Sequence, residues 1–193
     1  TPNSLKTVLP GGENHQKFTT WLDKAAHFFL SLKDKKGKNI PILFRPYHEL
    51  TGGWFWWGKG NCTPEEFKSL WKFTFDYLQK KGVHNLIYIY NTSSFSSEQD
   101  FLTNYPGDHY ADILSFDAYQ NNDDKQGEKF IEEVQSQLKI INEIGIKQHK
   151  LIAIAEAGYE AIPDPKWWTG TLSKAIGDYK ISYVLLWRNH GWQ

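Results

Sequence analysis

Short apolar runs recur along the chain at residues 40–44 (Ile-Pro-Ile-Leu-Phe), 86–90, 113–116, 151–155 and 181–186. The runs are continuous, which predicts strands buried on both faces, not the half-exposed strands of an antiparallel sheet. Between them the apolar period lengthens to that of a helix. Phe67, Leu70, Trp71, Thr74, Phe75 and Leu78 share one face of a predicted helix over 64–82. Thr63, Pro64 and Glu66 open it with an N-cap, a first-turn proline and a capping-box acid, and Lys80, Lys81 and Gly82 close it. Phe130, Ile131, Val134, Leu138 and Ile141 predict a helix over 127–144, with Gly145 as its stop. A third is expected over 14–36, with Phe18, Trp21, Leu22, Ala25, Phe29 and Leu32 facing inward, and a weaker one over 165–177 with Trp168, Leu172 and Ile176.

Strands alternating with helices imply a parallel sheet with right-handed crossovers. Each apolar run is followed by polar or aromatic groups: Arg45, Tyr47, His48 and Glu49; then Asn91; then Asp117 and Tyr119; then Glu156; then Trp187, Arg188 and Asn189. In a parallel barrel the C-terminal strand ends form one rim, where the active sites of such barrels lie. A complete eight-stranded barrel takes about 250 residues, and only five runs are present. An open sheet with its ligand at a switch point also fits that count. No repeat, low-complexity tract or linker divides the 193 residues, so one domain is expected.

Charge narrows the partners. The 22 Lys and Arg balance the 22 Asp and Glu, leaving no field to gather nucleic acid or anionic lipid. No apolar run approaches the ~18 residues of a membrane span, and the first residues lack the pattern of a signal peptide. A single cysteine, Cys62, excludes an internal disulfide and a cysteine metal cage. The lack of Met reads as a processed chain or a piece of a longer one. The excess is aromatic: 9 Trp, 10 Tyr and 12 Phe, several beside turns and polar residues, where a site for a sugar or another flat ligand would place them.

Glu49 and Glu156 are the leading chemical candidates, because each closes an apolar run where solubility needs no acid. Two carboxylates on one rim suit glycoside hydrolysis, one protonated to assist the leaving oxygen and one ionised to attack or to activate water. A satisfied structural acid at a strand end is the competing reading. His48 has no second histidine four residues on, since position 52 is Gly, and the other histidines are scattered. No metal or cofactor is therefore expected, and His48 reads as a hydrogen-bonding site residue. In Gly52-Gly53-Trp54-Phe55-Trp56-Trp57-Gly58 consecutive aromatics cannot share one face, so some should meet a ligand and others plug the rim. Trp187 could stack on a sugar ring and Arg188 hold hydroxyls, against the alternative of a core Trp and a surface Arg. Trp167 and Trp168 read as packing, Ser115 lies in no nucleophile elbow, and Cys62 has no nearby base. Asn61-Cys62-Thr63 and Asn91-Thr92-Ser93 fit the glycosylation pattern.

Arg45-Pro46-Tyr47-His48-Glu49 followed by Gly53-Trp54-Phe55-Trp56-Trp57-Gly58 resembles glycoside hydrolase family 26, the β-mannanase family of the clan A barrels. Tyr105-Pro106-Gly107-Asp108, Phe116-Asp117-Ala118-Tyr119, Glu156-Ala157-Gly158-Tyr159, Trp167-Trp168-Thr169 and Trp187-Arg188-Asn189 continue the resemblance in order, over about residues 40 to 190. It implies a (β/α)8 TIM barrel of which these residues cover roughly strands 4 to 8, a single catalytic domain without its first three strands and last helix. Such a piece would expose a sheet edge and apolar surface.

The resemblance further implies that Glu49 is the acid/base at the end of the fourth barrel strand and Glu156 the nucleophile at the end of the seventh. His48 would stand where related clan members carry Asn. Trp54 would line the leaving-group side, Tyr119 hydrogen-bond the nucleophile, and Trp187 lie under the reacting sugar, with Asp117 and Arg188 as further substrate contacts. The activity implied is a retaining endo-β-1,4-mannanase acting on mannan, glucomannan or galactomannan. Exo-acting mannobiohydrolases and hydrolases of β-1,3-xylan or mixed-linkage glucan share the family, and a non-catalytic carbohydrate-binding protein is the alternative of another class. A polymeric substrate implies a secreted, periplasmic or cell-surface monomer that needs no cofactor.

Overall fold

The computed structural model describes residues 4–121 and 123–187. The chain divides into two compact units, residues 1–90 with 103–112, and residues 91–102 with 113–193.

The first unit contains α1 (Ser4–Val8), α2 (His15–Ser31), β1 (Ile42–Phe44), α3 (Pro64–Lys80) and most of β2 (Leu86–Thr92). β1 pairs in parallel with β2, Ile42 opposite Leu86 and Phe44 opposite Tyr88. α3 starts as its first residues dictate: the Thr63 side chain accepts the Glu66 N–H, and the Glu66 carboxylate accepts the Thr63 N–H. Its buried face is Phe67, Leu70, Trp71, Thr74 and Leu78, and Leu70 joins Leu5, Phe18 and Leu22 in one apolar cluster.

α2 departs from expectation twice. It stops at Ser31 instead of running to 36, because the Asp34 carboxylate accepts the N–H groups of Lys36 and Lys38 and closes a turn in which Gly37 has φ +78°. Its buried row is Phe18, Leu22, Ala26 and Phe29, so Trp21 falls on the adjacent row and is 54% exposed, with the Lys17 ammonium 5.4 Å from its ring centre. The apolar stripe is narrower than the pattern suggested.

The second unit holds the end of β2, α4 (Glu98–Leu102), β3 (Ile113–Gln120), α5 (Glu128–Gln148), β4 (Leu151–Tyr159), a π-helical turn (Trp168–Leu172) continuing into α6 (Ser173–Ile176), and β5 (Val184–Leu186). β3, β4 and β5 pair in parallel, with helices as the crossovers. β3 and β4 are buried almost throughout, as continuous apolar runs require. α5 passes Gly145, the expected stop, and ends at Gln148 before His149, whose φ is +55°. Gly145 instead permits close packing, since a Cβ there would sit 2.9 Å from the Lys150 carbonyl and 3.0 Å from Ile152. In place of the regular helix expected over 165–177, the π-helical turn carries Trp168.

β2, β3 and β4 also run further than their apolar cores, whereas β1 and β5 take up only part of the runs at 40–44 and 181–186. Asn91 lies inside β2, Asp117 and Tyr119 inside β3, and Glu156 inside β4, where the sequence placed them beyond the strand ends. Buried polar side chains with hydrogen-bond partners do not terminate a strand.

Candidate functional site

In the first unit, the loop after β1 delivers Glu49. Tyr47 and Glu49 both have φ +52°, a left-handed conformation that non-glycine residues rarely adopt and that costs of order 1–3 kcal/mol each. The surroundings hold it in place. The Tyr47 hydroxyl is 2.6 Å from that of Thr74, and its ring meets Trp56, Trp57, Phe67 and Trp71 edge-on. The Trp57 indole donates to the His48 carbonyl at 2.9 Å, and the Gly52 N–H donates to the Glu49 carbonyl at 2.9 Å. Pinned on both sides, the half-buried Glu49 carboxylate accepts the Trp54 indole N–H at 2.9 Å.

The Gly52–Gly58 loop divides its aromatics between two tasks. Trp54 is 62% exposed, and a Cβ on Gly52 would overlap its ring. Phe55 and Trp57 stack at 4.4 Å with planes 10° apart, and the His48 ring packs 4.7 Å from Phe55. Trp56 and Trp57 lean on the core cluster. The Asn61 amide donates to the carbonyls of Gly53 and Phe55, and the Cys62 thiol donates to that of Trp57. Burial pushes the Cys62 thiol up to about 11, so it stays protonated and unreactive at neutral pH.

In the second unit, register creates the site. Phe116 pairs with Ile154 but Asp117 pairs with Glu156, so β4 carries one extra residue, Ala155, at this point. Successive strand residues alternate faces, and without the bulge Glu156 would lie on the face of Phe116. The bulge turns it onto the face of Ser115, Asp117 and Tyr119. There the Tyr119 hydroxyl donates to the Glu156 carboxylate. Gly158 allows this approach: a Cβ there would be 2.9 Å from the Tyr119 ring and 2.6 Å from the Trp187 carbonyl.

Asp117 and Glu156 are both buried. The wholly buried Asn91 amide donates to Asp117 Oδ1 at 2.8 Å and to Ser115 Oγ at 3.1 Å. Each of two adjacent carboxylates is thus given a donor of its own, as buried polar groups require. Trp187, 55% exposed, follows β5, with its N–H bonded to the Ala157 carbonyl at 3.0 Å. The expected contact Arg188 lies outside the described residues. Trp167 is packed as expected, buried against Phe130 and Tyr159 with its indole donating to Gln120 at 2.6 Å.

The structure gathers His48, Glu49 and Trp54 in the first unit, and Asp117, Tyr119 and Glu156 in the second. The residues without a sequence-level role are Asn91 and Gly158. Asn91 had a signal, a polar residue closing an apolar run, but nothing near it in the sequence names its partners; its side chain is 0% exposed in the fold.

Comparison with known proteins adds a second line. The model of glycosyl hydrolase family 26 matches residues 3–189. A mannan endo-1,4-beta-mannosidase of Bifidobacterium adolescentis is 32% identical over 200 residues, covering 95% of this chain and 20% of that protein. One of Thermothelomyces thermophilus is 36% identical over 137 residues, 70% of this chain and 24% of that protein. A GH26 beta-mannanase structure from Bacteroides ovatus superposes with a TM-score of 0.91 at 46% identity, over 96% of this chain and 53% of that one. The chain therefore spans about half the length of the solved structure and about a fifth to a quarter of the two curated relatives.

Proposed function

Since the chain belongs to glycosyl hydrolase family 26, we propose that it carries the catalytic residues of a retaining endo-β-1,4-mannanase acting on mannan, glucomannan or galactomannan. The fold is that of the family's (β/α)8 barrel, and on this reading β1 to β5 are its fourth to eighth strands. The observation that carries the reading is the bulged register of β3 and β4, which puts Glu156 beside Asp117 and under the Tyr119 hydroxyl. Bulges recur next to active sites, where they re-aim a side chain.

In the proposed mechanism Glu156 attacks the anomeric carbon. Glu49 donates its proton to the departing glycosidic oxygen, whose bond to that carbon breaks, and a glycosyl ester on Glu156 results. Glu49, now ionised, takes a proton from water, which attacks the same carbon and releases the sugar with its configuration retained. Tyr119 orients the Glu156 carboxylate and solvates its charge. Trp54 fixes Glu49 through its indole N–H and offers an exposed ring to the leaving-group side. Trp187 presents an exposed indole as the platform for the reacting sugar, with His48, Asp117 and Arg188 as further contacts.

A polymer of this size does not cross a membrane, so we place the protein outside the cytoplasm, secreted, periplasmic or on the cell surface, as one catalytic domain acting as a monomer. Among the described residues no helix is long and apolar enough to span a bilayer. The test is reducing-sugar release from mannan and galactomannan by the intact protein and by its Glu156→Ala variant. Proton NMR of the first-formed anomer and the products from mannohexaose complete it. Release by the wild type alone, with the β-anomer first and mixed short products, is expected. Inversion, or equal release by the variant, sinks the assignment.

A further inference from the structure

We propose that Asn91 is a positioning residue for this reaction, clamping the Asp117 carboxylate in the orientation in which it meets substrate. The inference rests on the family-26 reading of Asp117 and Glu156 and adds a residue to it.

An asparagine is a poor choice for the interior of a buried strand. It is disfavoured in strands, and burying an amide without partners costs on the order of 1–3 kcal/mol. Asn91 nevertheless lies in β2 with 0% of its surface exposed. Its partners account for its identity. The amide nitrogen reaches Asp117 Oδ1 at 2.8 Å and Ser115 Oγ at 3.1 Å, two residues on one face of β3. An ionised carboxylate accepts and cannot donate, which fixes the amide with its NH2 toward Asp117.

Asp117 needs such a partner because the bulge sets it directly opposite Glu156. Two carboxylates so placed repel, and each tends to rotate away or to take up a proton. Tyr119 donates to Glu156, and Asn91 does the same for Asp117. The bond to Oδ1 favours one setting of the Asp117 carboxylate about its terminal torsion, and with it one direction of the second oxygen. Serine or alanine at 91 would be too short to reach both partners, and aspartate would bring a third carboxylate into the cluster. Asn91 acts through Asp117 and is itself placed in no contact with the sugar.

The experiment uses the intact protein with three substitutions, Asn91→Ala, Asn91→Asp and Ser115→Ala, each checked for folding by near-UV circular dichroism. Asn91→Ala should lower kcat on mannan by about 10²-fold, the size of effect expected when a reacting group is misplaced, with KM changed far less. Asn91→Asp, which keeps the shape and loses the donor, should be as slow at neutral pH. It should regain activity toward acid pH, where a proton shared between the facing carboxyls restores the hydrogen bond. Ser115→Ala keeps the bond to Asp117 and should retain the wild-type kcat, which separates the clamp from simple packing. A readout without substrate accompanies these: the titration of the Asp117 carboxyl carbon by 13C NMR should move upward in Asn91→Ala.

A folded Asn91→Asp variant with the wild-type kcat and pH profile overturns the proposal, as does an unchanged Asp117 titration in Asn91→Ala. If the wild type releases nothing from mannan, the mannanase reading fails, while the NMR titration still decides whether Asn91 holds Asp117.

Discussion

Glu49 and Glu156 are held by different devices, and substitution separates their roles. Glu49 sits on a left-handed residue of a loop stapled by Tyr47 and Trp57, whereas Glu156 sits on a strand turned by one extra residue. As the proposed acid/base, Glu49→Gln should slow cleavage of mannan by about 10²- to 10⁴-fold. It should largely spare the first step on a dinitrophenyl mannoside, whose leaving group needs no proton. Glu156→Gln should abolish both, and pre-steady-state release of dinitrophenol distinguishes the two. Tyr119→Phe removes one hydrogen bond to a charged group, about 1.5–3 kcal/mol, so kcat/KM should fall by roughly 10- to 100-fold. The carboxylates and Tyr119 were legible as residues because they follow apolar runs. Asn91 stood at the same kind of position, but its role depends on β3, 24 and 26 residues away.

At the scale of elements, α3 and β4 show opposite degrees of legibility. The start of α3 is local chemistry: Thr63, Pro64 and Glu66 form the capping box that their spacing predicts. Thr63→Ala should cost about 1 kcal/mol, read as a lower midpoint in denaturant. The backbone N–H of Thr63, followed by the side chains of Lys6 and Thr63, holds the Glu66 carboxyl below its ordinary range. A depressed folded-state value means that this stabilisation is fully present above the unfolded value near 4.3 and disappears as pH falls through the folded one. Glu66→Gln should therefore be less stable than the wild type at pH 7, and the gap should close in acid unfolding series. The bulge in β4 has no such local signature, because Ile-Ala-Glu-Ala reads as an unbroken strand. Gly158 is its visible consequence. Gly158→Ala would press on Tyr119 and the Trp187 carbonyl and should destabilise by about 1–3 kcal/mol, with a loss of kcat that exceeds the loss of folded protein.

Among the described residues, each unit leaves apolar side chains exposed. In the first unit Trp21 and Phe28 on α2 and Leu43 on β1 are each more than half exposed, and in the second Leu185 and Leu186 on β5 are exposed. Exposed apolar patches of this kind bind dyes and partners. The 193-residue chain by itself should bind anilinonaphthalene sulfonate with a strong fluorescence rise, and the double substitution Trp21→Lys with Phe28→Glu should reduce it. A dye response unchanged by that pair would place the apolar surface elsewhere. Helix periodicity had put Trp21 inside. It located α2 correctly, but it could not say how much of the helix's circumference neighbours would cover.

The sequence by itself determined what depends on near neighbours. That includes the alternation of strands and helices, the cap of α3, the packed Trp167 and the candidacy of Glu49 and Glu156. Backbone preference, apolar period and side-chain chemistry act over a few residues and are written there. Only the tertiary structure decided the register of β3 and β4, the turning of Glu156 onto the face of Asp117, the clamp from Asn91 and the narrow stripe of α2. These depend on which residue of one strand or helix lies opposite which residue of another, and a shift of one residue reverses the face of every side chain beyond it.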